Sequence, residues 1–269
     1  MDKVRLALSG SGFLAPIHAG AVCAFMDGGV EIIEVAGTSG GSIVAAMVAA
    51  GMDQPQIKAR ALAPVPNGIM RYQPLAIMRK AMNDGNVLQD WLDSAIGECT
   101  LGSAKVPITI MATDIAGGCG SEFSDKQTPH IRLADACRAS ASVPFVYSPK
   151  RMLGRDFVDG GMVCNIPTDK LIDDHVPRVG IQVDDGSSRG DASTLIGFIK
   201  QCIGTLLAAN ENNLVAWAAE TGASIIPVKA APYGFLDPNL PRSAKEDLFN
   251  RGYGAVTAFL KENDLPVLK

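Results

Sequence analysis

The chain has 269 residues, 47% of them hydrophobic and 19% charged, which suffices for one substantial core and excludes a disordered or collagen-like chain. Its 24 basic and 28 acidic side chains give a formal net charge of −4, and no basic run accompanies an aromatic content of 6%, so a nucleic-acid partner is not expected. The apolar run from Ile43 to Ala50 is far shorter than the roughly 18 residues of a membrane span, and the first residues lack the apolar stretch of a secretory signal, so the expected location is cytoplasmic.

In chain order, Val4 to Leu8 predicts a short strand, followed by the turn Ser9 to Gly12. A helix is predicted from Pro16, a favoured first helical residue, to Asp27, where Gly28 and Gly29 stop it. Ile32 to Ala36 predicts a second buried strand, Gly37 to Gly41 a tight turn, and Ser42 to Ala50 a buried helix. Strand, helix, strand, helix with short connections predicts a parallel sheet covered by helices. Asp53 to Gly97 breaks this alternation. It carries Pro55, Pro64, Pro66 and Pro74, and then the apolar patch Leu75 to Met78 between Arg71 and Arg79. It is expected to be a mobile or lid-like insertion, with the patch either an interfacial segment that touches a membrane surface or a helix packed on the core.

Further strands are predicted at Val106 to Thr113, Asp156 to Asp159, Val179 to Val183 and Ser224 to Lys229. Helices are predicted at Arg132 to Ser140, Ala192 to Glu220 and Ser243 to Glu262. No linker or repeat interrupts the sequence, so it reads as a single α/β domain over residues 4–263, with a mostly parallel sheet sandwiched by helices. The six cysteines are scattered without a C-x-x-C pair, so no metal site is expected and the thiols read as mostly buried small hydrophobes.

Two glycine turns carry chemistry. Gly10-Ser11-Gly12-Phe13-Leu14-Ala15 fits G-x-G-x-x-G/A after a strand and before a helix, which suits an anion held on backbone N–H groups. That anion is either a dinucleotide pyrophosphate or the oxyanion of an acyl-transfer intermediate. A dinucleotide also wants an acid near the end of the second strand, whereas Glu31 and Glu34 stand at or near its start. Gly37-Thr38-Ser39-Gly40-Gly41 fits G-x-S-x-G at a strand-to-helix junction, where a sharp turn projects the serine Oγ and small neighbours let strand and helix close up. Ser42 is already inside the helix.

A nucleophilic serine needs a base. The candidates are Asp159, in Val158-Asp159-Gly160-Gly161 at the end of an extended piece, and the three histidines His18, His130 and His175. Asp27-Gly28-Gly29 repeats the D-G-G tripeptide where helix termination explains it, so position in the chain distinguishes Asp159.

Together these pieces resemble a patatin-like phospholipase domain. The resemblance rests on L-A-L-S-G-S-G-F-L-A-P-I-H-A-G, V-A-G-T-S-G-G-S, I-M-A-T-D-I-A-G-G, A-C-R-A-S-A-S-V-P-F-V-Y-S-P, F-V-D-G-G-M-V-C-N-I-P and the late R-G-Y-G-A-V-T-A-F-L. It spans about Val4 to Phe259. The chain departs from the family pattern at Ser11, Leu14 and Ala15, where a glycine, a basic residue and a glycine are usual. The resemblance implies a three-layer α/β fold and a lipid or lysolipid ester substrate cleaved without a cofactor. It also implies a Ser39–Asp159 dyad and an oxyanion hole on the backbone of Gly10, Ser11 and Gly12, with Gly37, Gly40, Gly41, Gly160 and Gly161 supporting the turns. The alternatives are an esterase with a Ser39–Asp159–His175 triad, an NAD(P)-binding oxidoreductase on the Gly10 turn, and a non-catalytic relative that binds or stores.

Overall fold

A computed structural model describes residues 2–73, 81–184, 193 and 195–263. The apolar runs read from the sequence become the centre of a sheet. β1 (Lys3–Leu8), β2 (Glu31–Thr38), β4 (Ile108–Asp114), β9 (Arg178–Asp184) and β10 (Ser224–Lys229) run parallel in the order β10-β9-β1-β2-β4. β1 is buried from Val4 to Leu8 on both faces, as a central parallel strand covered by helices must be. Pro227 sits in β10, an end strand of this order, where a missing ladder donor costs least.

The remaining strands are antiparallel additions that the sequence reading missed or met only in part. β5 (Cys119–Ser124) pairs with one edge of β4 from Thr109 to Asp114. β8 (Arg155–Asp159) pairs with Ala112 to Asp114 of β4, and β7 (Lys150–Met152) extends the sheet from β8. β3 (Ala81–Asn83) and β6 (Phe145–Tyr147) form a separate two-stranded sheet.

With β5 along one edge of β4, β2 and β8 share the other. β2 runs parallel to β4 and its pairing stops at Thr38 opposite Met111. β8 arrives from the opposite direction and stops at Asp159 opposite Ala112. The two strands abut end to end on one edge of a third.

α1 (Pro16–Asp27) and α2 (Gly40–Ala49) follow the sequence expectation closely. Within the 53–97 segment the structure has two helices that prolines and glycines had masked. α3 (Gln54–Leu62) opens with a capping box in which Asp53 accepts the Gln56 N–H and the Gln56 side chain accepts the Asp53 N–H. Pro55 falls in the first turn of α3, where its missing N–H is no loss. α4 (Asn86–Ile96) buries Leu88, Leu92, Ala95 and Ile96 at helical spacing in the main core. The Leu75 to Met78 patch lies outside the described residues.

α5 (Leu133–Ser140), α6 (Leu195–Glu220) and α7 (Arg242–Glu262) complete the layers. α7 lies along α1, and their backbones touch where Gly20 meets the Phe249 carbonyl and Gly252 meets the Ile17 carbonyl. Among the described residues no helix is long and apolar enough to cross a membrane. Three cysteines are buried (Cys23, Cys137, Cys164), Cys99 is partly covered, and Cys119 and Cys202 are exposed, so the expectation of mostly buried thiols holds for only half of them.

Because α4 is packed into the common core, truncating its fully buried Leu92 should destabilise the whole domain. Leu92→Ala is expected to lower the unfolding free energy by about 2–5 kcal/mol in a single cooperative urea transition. A loss below about 1 kcal/mol would mean that α4 is docked loosely.

Candidate active site

The site is built where β2 and β8 meet. Ser39 follows the last residue of β2 and caps α2 with φ 49° and ψ −124°, a conformation that side-chain-bearing residues rarely adopt. That turn projects the hydroxyl away from the strand. Ser39 Oγ donates to Asp159 Oδ2 at 2.7 Å, and both residues are buried. The other carboxylate oxygen, Oδ1, accepts the Gly161 N–H at 2.8 Å, so the D-G-G turn holds the carboxylate by its own backbone. Removal from water raises the Asp159 carboxyl to about 6, and the hydrogen bonds from Ser39 and Gly161 offset part of that rise.

Close approach explains the glycines around these two residues. A Cβ on Gly40 would strike the Gly12 backbone, one on Gly41 the carbonyls of Leu8 and Ser9, and one on Gly160 the Met111 carbonyl. Gly37 faces Ser42 and Ala45 of α2 in the same way. Gly161 contributes its N–H, as described.

The Gly10 to Gly12 turn lies against the start of α2. Gly12 has φ +52° and no room for a Cβ beside the Phe235 carbonyl. The Gly10 N–H donates to the Asn165 carbonyl at 2.9 Å, and so is engaged within the fold. Ser11 is buried, with its hydroxyl beside Gly40 and no partner among the described residues.

Residues that the sequence reading did not single out fix this arrangement. Ser140, the last residue of α5, accepts the Ser39 N–H on its Oγ at 2.8 Å. Two residues on, the Ser142 carbonyl accepts the Asp159 N–H at 3.0 Å. Thr113 donates its hydroxyl to the Asp159 carbonyl, and Thr38 donates to the Cys164 carbonyl. One short stretch, A-S-A-S, therefore braces both partners. It stood in the quoted motifs, but only the fold shows what its two serines hold.

The histidines lie elsewhere. His18 is fully buried with Nε2 at 2.8 Å from the Ser9 carbonyl oxygen, and burial lowers it to about 4. His130 is exposed. His175 is exposed in the loop before β9, where Pro177 stands level with Arg5 while Ile181 stands level with Ser9. His175 is thus at the opposite ends of the strands from Ser39, more than roughly 13 Å away along β1 at the strand rise per residue. That separation removes the ground for a Ser39–Asp159–His175 triad. Glu34, one of the acids weighed for a dinucleotide, is held by Arg5 at 2.7 Å at that same remote end. Among the described residues no three His, Cys, Asp or Glu side chains gather as a metal-holding group.

An apolar cavity opens beside Ser39. Phe13, the α2 face Ile43, Val44 and Met47, the α4 residues Leu88 and Trp91, and Val143 line it. α3 and α4 thereby wall the cavity from outside.

This combination of a buried serine–carboxylate pair on a strained strand-to-helix turn and an adjoining apolar cavity defines an α/β protein of the acyl-hydrolase architecture. The patatin-like phospholipase family model matches residues 6–172, and the chain belongs to that family. An uncharacterised NTE family protein of Mycobacterium tuberculosis is 29% identical over 166 residues, covering 61% of this chain and 44% of that protein. A probable lipid hydrolase of Invertebrate iridescent virus 6 is 23% identical over 158 residues, covering 58% of this chain and 49% of that protein. The chain thus spans somewhat under half the length of these curated relatives. VipD from Legionella pneumophila has the same fold, with a TM-score of 0.64 at 16% identity over 97% of this chain and 67% of its own. ExoU from Pseudomonas aeruginosa, crystallised with SpcU, gives 0.54 at 16% identity over 97% and 52%.

The raised Asp159 has a consequence for stability. A carboxyl whose folded value (about 6) exceeds its ordinary 3.8 supports the fold most below pH 3.8, and that support is lost as pH rises through 6. Asp159→Asn should therefore be more stable than the wild type at pH 8, by up to roughly 2–3 kcal/mol, with the gain vanishing toward pH 4. Urea unfolding at the two pH values measures it, and an equal effect at both would assign the change to packing.

Proposed function

We propose that the chain is a lipid acyl hydrolase that works through a Ser39–Asp159 dyad. The observation that carries this reading is the 2.7 Å bond from Ser39 Oγ to Asp159, made in a buried setting at the mouth of an apolar cavity. Desolvation supports it further, because a carboxylate near 6 is a much better proton acceptor than one at its ordinary value. Ser39 Oγ attacks the ester carbonyl as its proton passes to Asp159. The tetrahedral intermediate collapses, expelling the alcohol, which takes that proton from Asp159. Water then attacks the acyl-serine, again giving its proton to Asp159, and collapse returns it to Ser39 as the fatty acid leaves.

The oxyanion falls to the backbone N–H groups of Ser11 and Gly12, with the Gly40 N–H, which opens α2 and has no acceptor within the helix. Gly10 supports them by its bond to Asn165 rather than by donating to the substrate. The acyl chain lies along Ile43, Val44 and Met47, with α3 and α4 as its cover. Family membership and the similarity to a probable lipid hydrolase support a lipid or lysolipid ester as the substrate.

Ser39→Ala and Asp159→Asn should each abolish ester hydrolysis, and a fluorophosphonate should label Ser39 in the wild type only. His18→Ala, His130→Ala and His175→Ala should each stay within about tenfold of wild-type activity while folded. Activity of the wild type, read as kcat/KM, should rise with pH through about 6 as Asp159 ionises and then level. An intact fold with no labelling would favour the binding or storage reading.

The oxyanion assignment has its own test. Gly12→Val should lower kcat by at least about 10²-fold, the scale of one lost donor, per molecule that circular dichroism and urea unfolding show to be folded, since a side chain at this position also presses on the Phe235 carbonyl. Near-normal turnover would remove the turn from the mechanism.

A further inference from the structure

The cavity beside Ser39 is apolar except at a few points, and two of these are hydrogen-bond donors with unfilled capacity. Tyr147 lines the cavity from β6, is 4% exposed, and its hydroxyl has no partner among the described residues. Lys245 lines it from α7, is 5% exposed, and donates to the Ala63 carbonyl at 2.6 Å. An ammonium carries three N–H groups, and no carboxylate pairs with this one among the described residues. Lysine is almost never buried without a charged partner, and a buried hydroxyl without an acceptor is equally uncommon.

A plain hydrocarbon chain would leave both groups unsatisfied. Each costs free energy when water is excluded, so a saturated acyl chain that fills this cavity binds against a penalty. The Lys245 ammonium can only donate and keeps two N–H groups beyond its bond to Ala63, while the Tyr147 hydroxyl donates as well as accepts. An acceptor oxygen that arrives with the ligand would satisfy either of them.

We infer that the cavity selects acyl chains carrying an oxygen function along the chain, such as a hydroxyl, keto or carboxyl group, which accepts from Tyr147 and Lys245. This inference rests on the hydrolase reading above and names the substrate class for it. The selectivity is positional, because both donors are fixed: Lys245 by its bond to Ala63 at the end of α3, and Tyr147 by the Arg138 guanidinium stacked 5.5 Å from its ring centre. An oxygen set at the wrong carbon would instead be buried against Ile43, Val44 or Leu88 and would weaken binding.

The test is a series of p-nitrophenyl esters of one chain length, unsubstituted or bearing a single hydroxyl at successive carbons, together with the ω-carboxyl ester. At one position the wild type should exceed the unsubstituted ester in kcat/KM by about tenfold or more, the scale of a hydrogen bond made to an otherwise unpaired donor. The ratio of substituted to unsubstituted ester should fall toward one in Tyr147→Phe, which keeps the ring against Arg138, or in Lys245→Met. No position exceeding the unsubstituted ester by threefold would overturn the inference, as would a preference that survives both variants. If even the unsubstituted ester is untouched and Ser39 takes no fluorophosphonate, the hydrolase reading itself has failed.

Discussion

The abutment of β2 and β8 on one edge of β4 is the constraint from which the rest of the site follows. A parallel strand and an antiparallel strand that share an edge must stop at the same place, and here the stop falls between Met111 and Ala112. The chain leaving β2 has to turn sharply, and Ser39 makes that turn in a strained conformation. The chain leaving β8 turns at Gly160, which has no room for a side chain above Met111. A serine and a carboxylate separated by 120 residues are thereby set at hydrogen-bond distance.

The same junction sets the electrostatics. Buried at this junction, Asp159 is cut off from water, and its carboxyl rises. The Gly161 N–H keeps that rise moderate. The Ser39 hydroxyl lowers it in the same sense, so burial and hydrogen bonding oppose each other at this carboxyl. The Ser140 hydroxyl and the Ser142 carbonyl, at and just beyond the end of α5, hold the backbones of both partners in register.

Much of this was legible in the sequence because it depends on local chemistry. Glycine turns at Gly37 to Gly41 and Gly10 to Gly12 follow buried apolar runs, and each run became a strand ending at the expected residue or close to it. The long helices α1 and α7 were equally plain, since caps and spacing lie within each of them. What the sequence hid is of two kinds. Prolines at 55, 64 and 66 read as breakers, although Pro55 sits in the first turn of a well-capped helix. Short edge strands such as β5 and β7 owe their form to pairing with β4 and β8 and carry little periodicity of their own. Register between distant strands is a property of the assembled sheet, so neither the meeting of β2 with β8 nor the remote placing of His175 could be read from the residues alone.

The separation between Ser39 and Asp159 also bears on how the protein comes into being. A nascent chain that has completed β1, α1, β2 and α2 already carries Ser39 on its turn, but Asp159 has not yet been made. Only after α5 and the residues behind it supply Ser140 and Ser142, and β8 closes on β4, does the Ser39 hydroxyl meet its carboxylate. On the proposed dyad, a polypeptide still emerging from the ribosome would be chemically silent. Hydrolysis would then be a property of the finished molecule, and turnover would double as a count of correctly folded copies.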